Sequence, residues 1–226
     1  MTFSIVGHCA DTGMLGVAIT TSSIAVGSRC PWVRAGVGAV ATQNVTNPSL
    51  GPEVLNLMAD GTSAEDALNN AMATELHPSY RQVIVTDAKG RTAEFSGSST
   101  LGNHGSAHGK GCISAGNMLR TPDLPKVVVD VFENREGIHL AERLLLALEA
   151  GLYKAGGEEG PVHSACLLVA DRHSWPLVDL RVDQDKHDPV KALRALWVDY
   201  EPQMNDYVTR ALNPSQAPSY GVPGNE

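Results

Sequence analysis

The chain opens Met1-Thr2-Phe3-Ser4-Ile5-Val6-Gly7-His8, and Thr2 is the first side chain that could do chemistry. A threonine hydroxyl is a weak nucleophile until a base takes its proton, and a free α-amine on the same residue can be that base. Methionine aminopeptidases generally clear Met before a residue as small as threonine, so loss of Met1 would leave hydroxyl and amine at a fixed separation. An α-amine with a reference pKa of about 7.7–8.0 is substantially neutral near physiological pH and able to accept the hydroxyl proton, directly or through a water. Such a pair attacks an amide or ester carbonyl, forms an acyl-enzyme and releases it to water. The competing reading is bland: many proteins trimmed in this way do nothing with the exposed threonine.

Other reactive side chains are weaker candidates. His104 and His108 lie four apart in Asn103-His104-Gly-Ser-Ala-His108-Gly-Lys-Gly, but three glycines argue against a helix that would align them. With no acidic residue or cysteine at ligand spacing, a loop rimming a pocket is expected rather than a metal site. A metal-dependent hydrolase using His104, His108 and His163 is the third-ranked reading. Cys9, Cys30, Cys112 and Cys166 are widely spaced among small or apolar neighbours, which fits buried reduced thiols. Gly156-Gly-Glu158-Glu-Gly-Pro-Val-His163 is a second polar cluster; capping and turning the chain competes there with a functional role. No Gly-x-Ser-x-Gly elbow or phosphate loop is present.

The elements that must hold these groups come from 226 residues without a linker-like break, so one domain is expected over 1–213, with a flexible tail at 214–226 too poor in apolar residues for a core. A net charge of −8 argues against nucleic acid or an anionic membrane as partner. No signal-like or membrane-length apolar segment occurs, so a cytoplasmic protein is expected.

Alternation in Phe3–His8, a turn at Asp11-Thr12-Gly13 and an apolar run from Leu15 to Thr20 predict a hairpin. A strand follows at Gly36–Thr42 after an irregular stretch from Thr21 to Arg34. Two helices follow, the first near Pro52–Met58 and the second led by a capping box of Thr62 with Glu65. A hairpin at 82–95 and a strand at Gly111–Gly116 return to β structure. Leu124, Val127, Val128, Val131 and Phe132 keep helical intervals despite their β propensity, and His139–Lys154 carries leucines four apart. Strands at Val162–Ala170 and Leu177–Val182 and a helix from Asp188-Pro189 complete the pattern, with further helical turns to about Leu212. Blocks of strands alternating with helix pairs suit two antiparallel sheets packed face to face with helices outside, an α+β, four-layer α/β/β/α sandwich.

Thr2-Phe-Ser-Ile-Val, Ala25-Val-Gly, Pro31-Trp32, Ala35-Gly-Val-Gly-Ala-Val-Ala-Thr-Gln43, Asn47-Pro48, Gly51-Pro52, Arg81-Gln82, Gly116-Asn117-Met118-Leu119 and Asp179-Leu-Arg-Val-Asp183 together resemble the family numbered 1028 among domains of unknown function. That family is assigned to the superfamily of N-terminal nucleophile (Ntn) hydrolases. The resemblance implies the same α/β/β/α fold and a nucleophile at the start of the first strand, where Thr2 stands. The end of the second strand would deliver a polar helper, from Thr21, Ser22 and Ser23. By position in the motifs, Ser22, Ser23 and Asn117 join Thr2 as catalytic candidates, and Arg29, Arg34, Gln43, Asn47, Arg81, Glu158 and His163 as substrate-binding candidates. Many relatives carry an aspartate near Glu158 and a glutamine near His163, so this chain departs from the common form there.

The leading expectation is a hydrolase of a small amide or related C–N bond with no metal or other cofactor, acting on a small molecule and assembled as a homo-oligomer. The alternative is a non-catalytic binding or assembly protein of the same fold.

Overall fold

The computed structural model describes residues 1–221. Its strands are β1 (Thr2–His8), β2 (Leu15–Thr21), β3 (Pro31–Arg34), β4 (Gly38–Asn44), β5 (Arg81–Asp87), β6 (Thr92–Ser96), β7 (Gly105–Gly109), β8 (Cys112–Asn117), β9 (Ser164–Ala170) and β10 (Val178–Val182). Its α-helices are α1 (Leu50–Ala59), α2 (Ala64–Thr74), α3 (Leu124–Glu133), α4 (Leu140–Tyr153), α5 (Pro189–Tyr200) and α6 (Met204–Leu212). One antiparallel sheet has the order β10-β9-β2-β1-β8-β7 and a second the order β3-β4-β5-β6.

Strand alternation explains the layers. Val6, Val17 and Ile19 of the larger sheet meet Ala39, Ala41 and Ile84 of the smaller in an inter-sheet core. The opposite face of the larger sheet packs Phe3 and Ile5 against Val128, Phe132, Leu144 and Leu148 of α3 and α4. Val40, Val83 and Val85 do the same against Val54, Leu55 and Leu68 of α1 and α2. The result is the expected α/β/β/α sandwich, and its central strands are apolar on both faces because neither face meets water. Gly151 lets α4 close on β1: a Cβ there would sit 2.6 Å from the Phe3 ring.

Several local expectations are corrected. The stretch from Thr21 to Arg34 contains β3, an edge strand whose first residue is proline, a position where no ladder donor is required. The α2 cap is Ser63, not Thr62: Ser63 Oγ accepts from Asp66 N (3.1 Å) and donates to Asp66 Oδ2 (2.7 Å). The glycine-rich histidine stretch forms edge strand β7 instead of a loop, and His108 Nδ1 pairs with Thr92 Oγ1 at 2.8 Å. His104 Nδ1 donates to Gly102 O, and among the described residues no group of three His, Cys, Asp or Glu side chains could hold a metal ion. The α3 helix forms despite its valine run because its apolar face is buried, and tertiary packing outweighs propensity.

In the expected tail, a 3-10 turn spans Pro214–Gln216, and Arg210 Nη2 donates to Pro218 O with its guanidinium over the Tyr220 ring. Residues 222–226 lie outside the described residues. Among those described, no helix is long and apolar enough to cross a membrane.

Candidate functional site

Thr2, Ser4 and Val6 face the inter-sheet layer, since Phe3 and Ile5 face the helices. Thr2 is opposite Thr21 on β2 and Asn117 on β8, and Thr21 is opposite Ser164 on β9. Ser164, Thr21, Thr2 and Asn117 therefore form a polar row across four adjacent strands, at one end of the interface between the sheets. Thr2 Oγ1 and Thr21 Oγ1 are 2.9 Å apart, and Thr2 is 7% exposed.

Behind this row lies a buried amide network. Ser4 Oγ donates to Gln43 Oε1 (2.7 Å), Gln43 Nε2 to Gln82 Oε1 (2.8 Å), and Asn117 Nδ2 to the same Gln82 oxygen (3.1 Å). Gln82 Nε2 donates to the Gly116 carbonyl and to Ser96 Oγ, each at 3.2 Å. Because a carbonyl only accepts, the Gly116 contact sets the Gln82 amide, and Gln82 Oε1 in turn sets the Gln43 and Asn117 amides. Asn117 Oδ1 is left buried with no protein partner.

The Met1 carbonyl sits on the row. It accepts from Thr2 Oγ1 and Thr21 Oγ1, both at 2.6 Å, and from Ser22 N at 3.4 Å. Two hydroxyl protons are thus shared among three oxygens, so the Thr2–Thr21 contact has no proton of its own while both bonds to Met1 are made. The loop after β2 is pinned from two sides. Ser164 Oγ donates to Ser23 O and accepts from Val26 N, while Arg29 donates to Ser23 Oγ (2.6 Å) and to the Ile24 and Ala25 carbonyls. Ser23 Oγ lies 3.4 Å from Thr21 Oγ1, giving a line from the Arg29 guanidinium through two hydroxyls to Thr2. His163 Nδ1 is 2.8 Å from Ser22 O, so that nitrogen carries the proton. Ala25, Asn44 and Met118 are non-glycine residues with positive φ, and all three adjoin this end of the sandwich, where left-handed backbone costs of order 1–3 kcal/mol each.

Glu158 reaches the site from the segment after α4. Leu119 and Glu158 form an isolated bridge and Glu159 N donates to Met118 O, which lays this segment beside the chain leaving Asn117. Its carboxylate is buried and neither oxygen has a hydrogen-bond partner. Burial pushes the carboxyl up to about 8, against a weaker pull from the Met1 ammonium and from the Ser22 N–H, which lies near the carboxyl but whose hydrogen bond goes to Met1 O. Next to it, Gly160 seats the Met1 side chain: a Cβ there would lie 2.7 Å from Met1 Cε.

The structure brings Thr2, Ser22, Ser23, Arg29, Gln43, Asn117, Glu158 and His163 to this end. Arg34, Asn47 and Arg81 are not with them. Arg34 is at the far end of β3, opposite Gly38, and donates to Asn56 of α1. Asn47 and Arg81 lie on the helix side of the smaller sheet, where both bond Glu75. Burial alone would raise the Glu75 carboxyl, but hydrogen bonds from Asn47, the His77 N–H and Arg81 hold it down at about 2. The four cysteines are free and buried; burial raises Cys30 to about 11 and Cys112 to about 12, and Cys166 further, so these three are poor nucleophiles.

Comparison with known proteins matches residues 2–193 to the model of a Family of unknown function (DUF1028). The chain belongs to this family. A DUF1028 protein of known structure, SPO2555 from Silicibacter pomeroyi, is 32% identical over 88% of each chain, with a TM-score of 0.81. Looser likenesses are Anbu (ancestral beta-subunit) from Yersinia bercovieri, 8% identical over 91% of this chain and 97% of that one (TM-score 0.37), and Anbu from Hyphomicrobium sp. strain MC1, 13% identical over 97% and 100% (TM-score 0.41). No curated protein matches.

Sequence reasoning missed several members of the group in this DUF1028 chain. Ser164 and Gln82 sit in strands that read as plain core, and Ser4 is one polar residue in an apolar alternation. Thr21 fell within the expected helper stretch but was not singled out from Ser22 and Ser23. The usable signal was parity: counting back through the β1–β2 hairpin makes Thr21, not Ser22, the partner of Thr2.

Proposed function

We propose that this DUF1028 protein is a hydrolase of a small amide or related C–N bond, with Thr2 as an N-terminal nucleophile once the Met1–Thr2 bond has been cut. The observation that carries this reading is the row Ser164, Thr21, Thr2, Asn117 at the polar end of the inter-sheet layer, with Thr2 one bond from a residue whose carbonyl already lies among hydrogen-bond donors.

In this mechanism the freed α-amine takes the Thr2 hydroxyl proton as Oγ1 bonds to the substrate carbonyl carbon. The Ser22 N–H, and the Thr21 hydroxyl held by Ser23 and Arg29, stabilise the oxyanion where they now hold Met1 O. The C–N bond breaks as the amine leaves with the proton. Water then adds to the threonine ester, its proton passing through the α-amine, and a carboxylic acid departs with Thr2 restored. Gln43, Gln82 and Asn117 keep β1 and β8 in place behind the nucleophile. Ser22 and His163 flank the row, joined by the hydrogen bond between His163 Nδ1 and Ser22 O, and Glu158 is buried beside Met1.

A non-catalytic binding protein is the second reading, favoured by one feature: with Met1 in place its carbonyl occupies both hydroxyls and Thr2 has an amide nitrogen. The test is intact mass of the purified protein together with a comparison of wild type and Thr2→Ala on a panel of small amides, ureido compounds and acylated amino acids. Loss of one methionine with Thr2-dependent turnover supports the hydrolase. Retained Met1 with no turnover points to the binding protein.

A further inference from the structure

At the other end of β1, about 20 Å along the strand from Thr2, a cavity of about 410 Å³ opens where the β1–β2, β5–β6 and β7–β8 turns meet α4. His8, Asp11, Lys89, Lys110, Glu136 and Arg143 are among the residues that line it. Arg143 is the one whose needs the protein does not meet. It is 5% exposed, its Nη2 donates to the Phe132 carbonyl at 3.1 Å, and its guanidinium lies 4.0 Å from the centroid of the Phe132 ring. Among the described residues nothing accepts from its Nε or Nη1, and no carboxylate pairs with it. Nε is sealed from solvent whereas Nη1 is not, so Nη1 is the donor that a group in the cavity can reach.

The acids nearby are engaged elsewhere. Glu136 pairs with Lys110 Nζ at 3.1 Å, and Glu133 accepts from Lys110 N at 2.6 Å. Asp87 is taken by Arg91 at 2.6 Å, which leaves Lys89 on the same turn without an acid partner among the described residues. Burial lowers His8, so at neutral pH it offers a ring N–H or a lone pair and no further charge. A buried lysine or histidine can escape an unpaired charge by losing its proton, but a guanidinium cannot. The Phe132 ring offsets only part of that cost, and an anion entering the cavity would offset more.

We infer that this cavity binds a small molecule through an oxyanion, a carboxylate or phosphate group, with Arg143 as its central donor and Lys89 as a second cation. A net charge of −8 and the exposed acids Asp11 and Glu136 beside the basic groups disfavour a polyanion such as nucleic acid. The site is separate from the Thr2 row and does not depend on Thr2 being a nucleophile.

The test titrates inorganic phosphate, and separately succinate, into isotope-labelled protein at constant ionic strength while NMR follows the assigned Arg143 Nε–H signal. A saturable shift with at least one of them is expected, and the tighter of the two tells phosphate from carboxylate. Arg143→Met is expected to abolish binding, read there from the backbone signals of Lys110 and Gly111. Lys89→Ala, a change to an exposed side chain that leaves folding intact, is expected to weaken binding about fivefold. No saturable shift with either anion, the same shift with sodium chloride, or an affinity unchanged in either variant overturns the inference. Should Arg143→Met fail to fold, the wild-type and Lys89→Ala titrations decide it by the same criteria.

Discussion

Thr2 Oγ1 and Thr21 Oγ1 stand 2.9 Å apart on the rung that closes the β1–β2 ladder, and both reach the Met1 carbonyl at 2.6 Å. If Thr2 is the nucleophile, its neighbour both orients it and donates to the oxyanion. Thr21→Val keeps the shape and removes the hydroxyl. It is expected to lower kcat about 100-fold while changing stability by about 1 kcal/mol. Steady-state kinetics beside urea unfolding checks this, and an unchanged kcat would remove Thr21 from the mechanism.

Gln82 holds four hydrogen bonds in the layer between the sheets, to Gln43, Asn117, Ser96 and Gly116. Gln82→Ala leaves the Gln43 and Asn117 amide groups without their acceptor and opens a cavity. A loss of about 3 kcal/mol is expected, since orphaned buried donors cost more than a made bond contributes. The midpoint of urea unfolding measures it. A loss under 0.5 kcal/mol would mean that the network does not support the site end.

Glu158 sets a pH dependence. Its folded carboxyl keeps its proton to about pH 8, whereas an unperturbed one releases it near 4.5. Between those values the folded chain binds more protons than the unfolded one, so this group makes stability fall as pH rises from about 4.5 toward 8. Glu158→Gln is expected to flatten that decline, by on the order of a few kcal/mol at pH 8.5, with little change at pH 4.5. Urea midpoints at the two pH values decide it, and parallel wild-type and variant profiles would contradict the burial argument.

Glu75 acts in the opposite sense. Held at about 2 by Asn47, the His77 N–H and Arg81, it contributes stability in full above about pH 4.5 and loses it as pH falls through 2. Glu75→Gln should cost about 2 kcal/mol at pH 7, with the gap to wild type closing in strong acid. Acid titration of both proteins by circular dichroism tests this, and a gap that persists at pH 1.5 would refute it. Activity should hardly change, because Glu75, Asn47 and Arg81 sit behind the smaller sheet.

Elements whose signal lies within one segment were legible. The β1–β2 and β5–β6 hairpins stand out as mostly apolar runs joined by turn residues, and the α4 leucine stripe and even the valine-rich α3 repeat at a helical period that shows which face is buried. The four layers followed from their order. β3 and β7 escaped because short edge strands carry little pattern: one begins with proline and the other lies among glycines.

For the candidate site, the sequence alone determined that a threonine would open the first strand, with a polar stretch after the second strand and a polar turn around Glu158 and His163 ahead of a later one. The tertiary structure decided which of these groups meet. Strand parity put Gln43 and Gln82 in the inter-sheet layer and Arg81 behind it, and register placed Ser164 and Asn117 in the Thr2 row and Arg34 at the opposite end. A hydrogen bond forms over about 3 Å, whereas one residue along a strand advances by about 3.3 Å and reverses the face. A motif's place in the chain therefore does not say whether its side chain arrives, and only pairing between distant strands does.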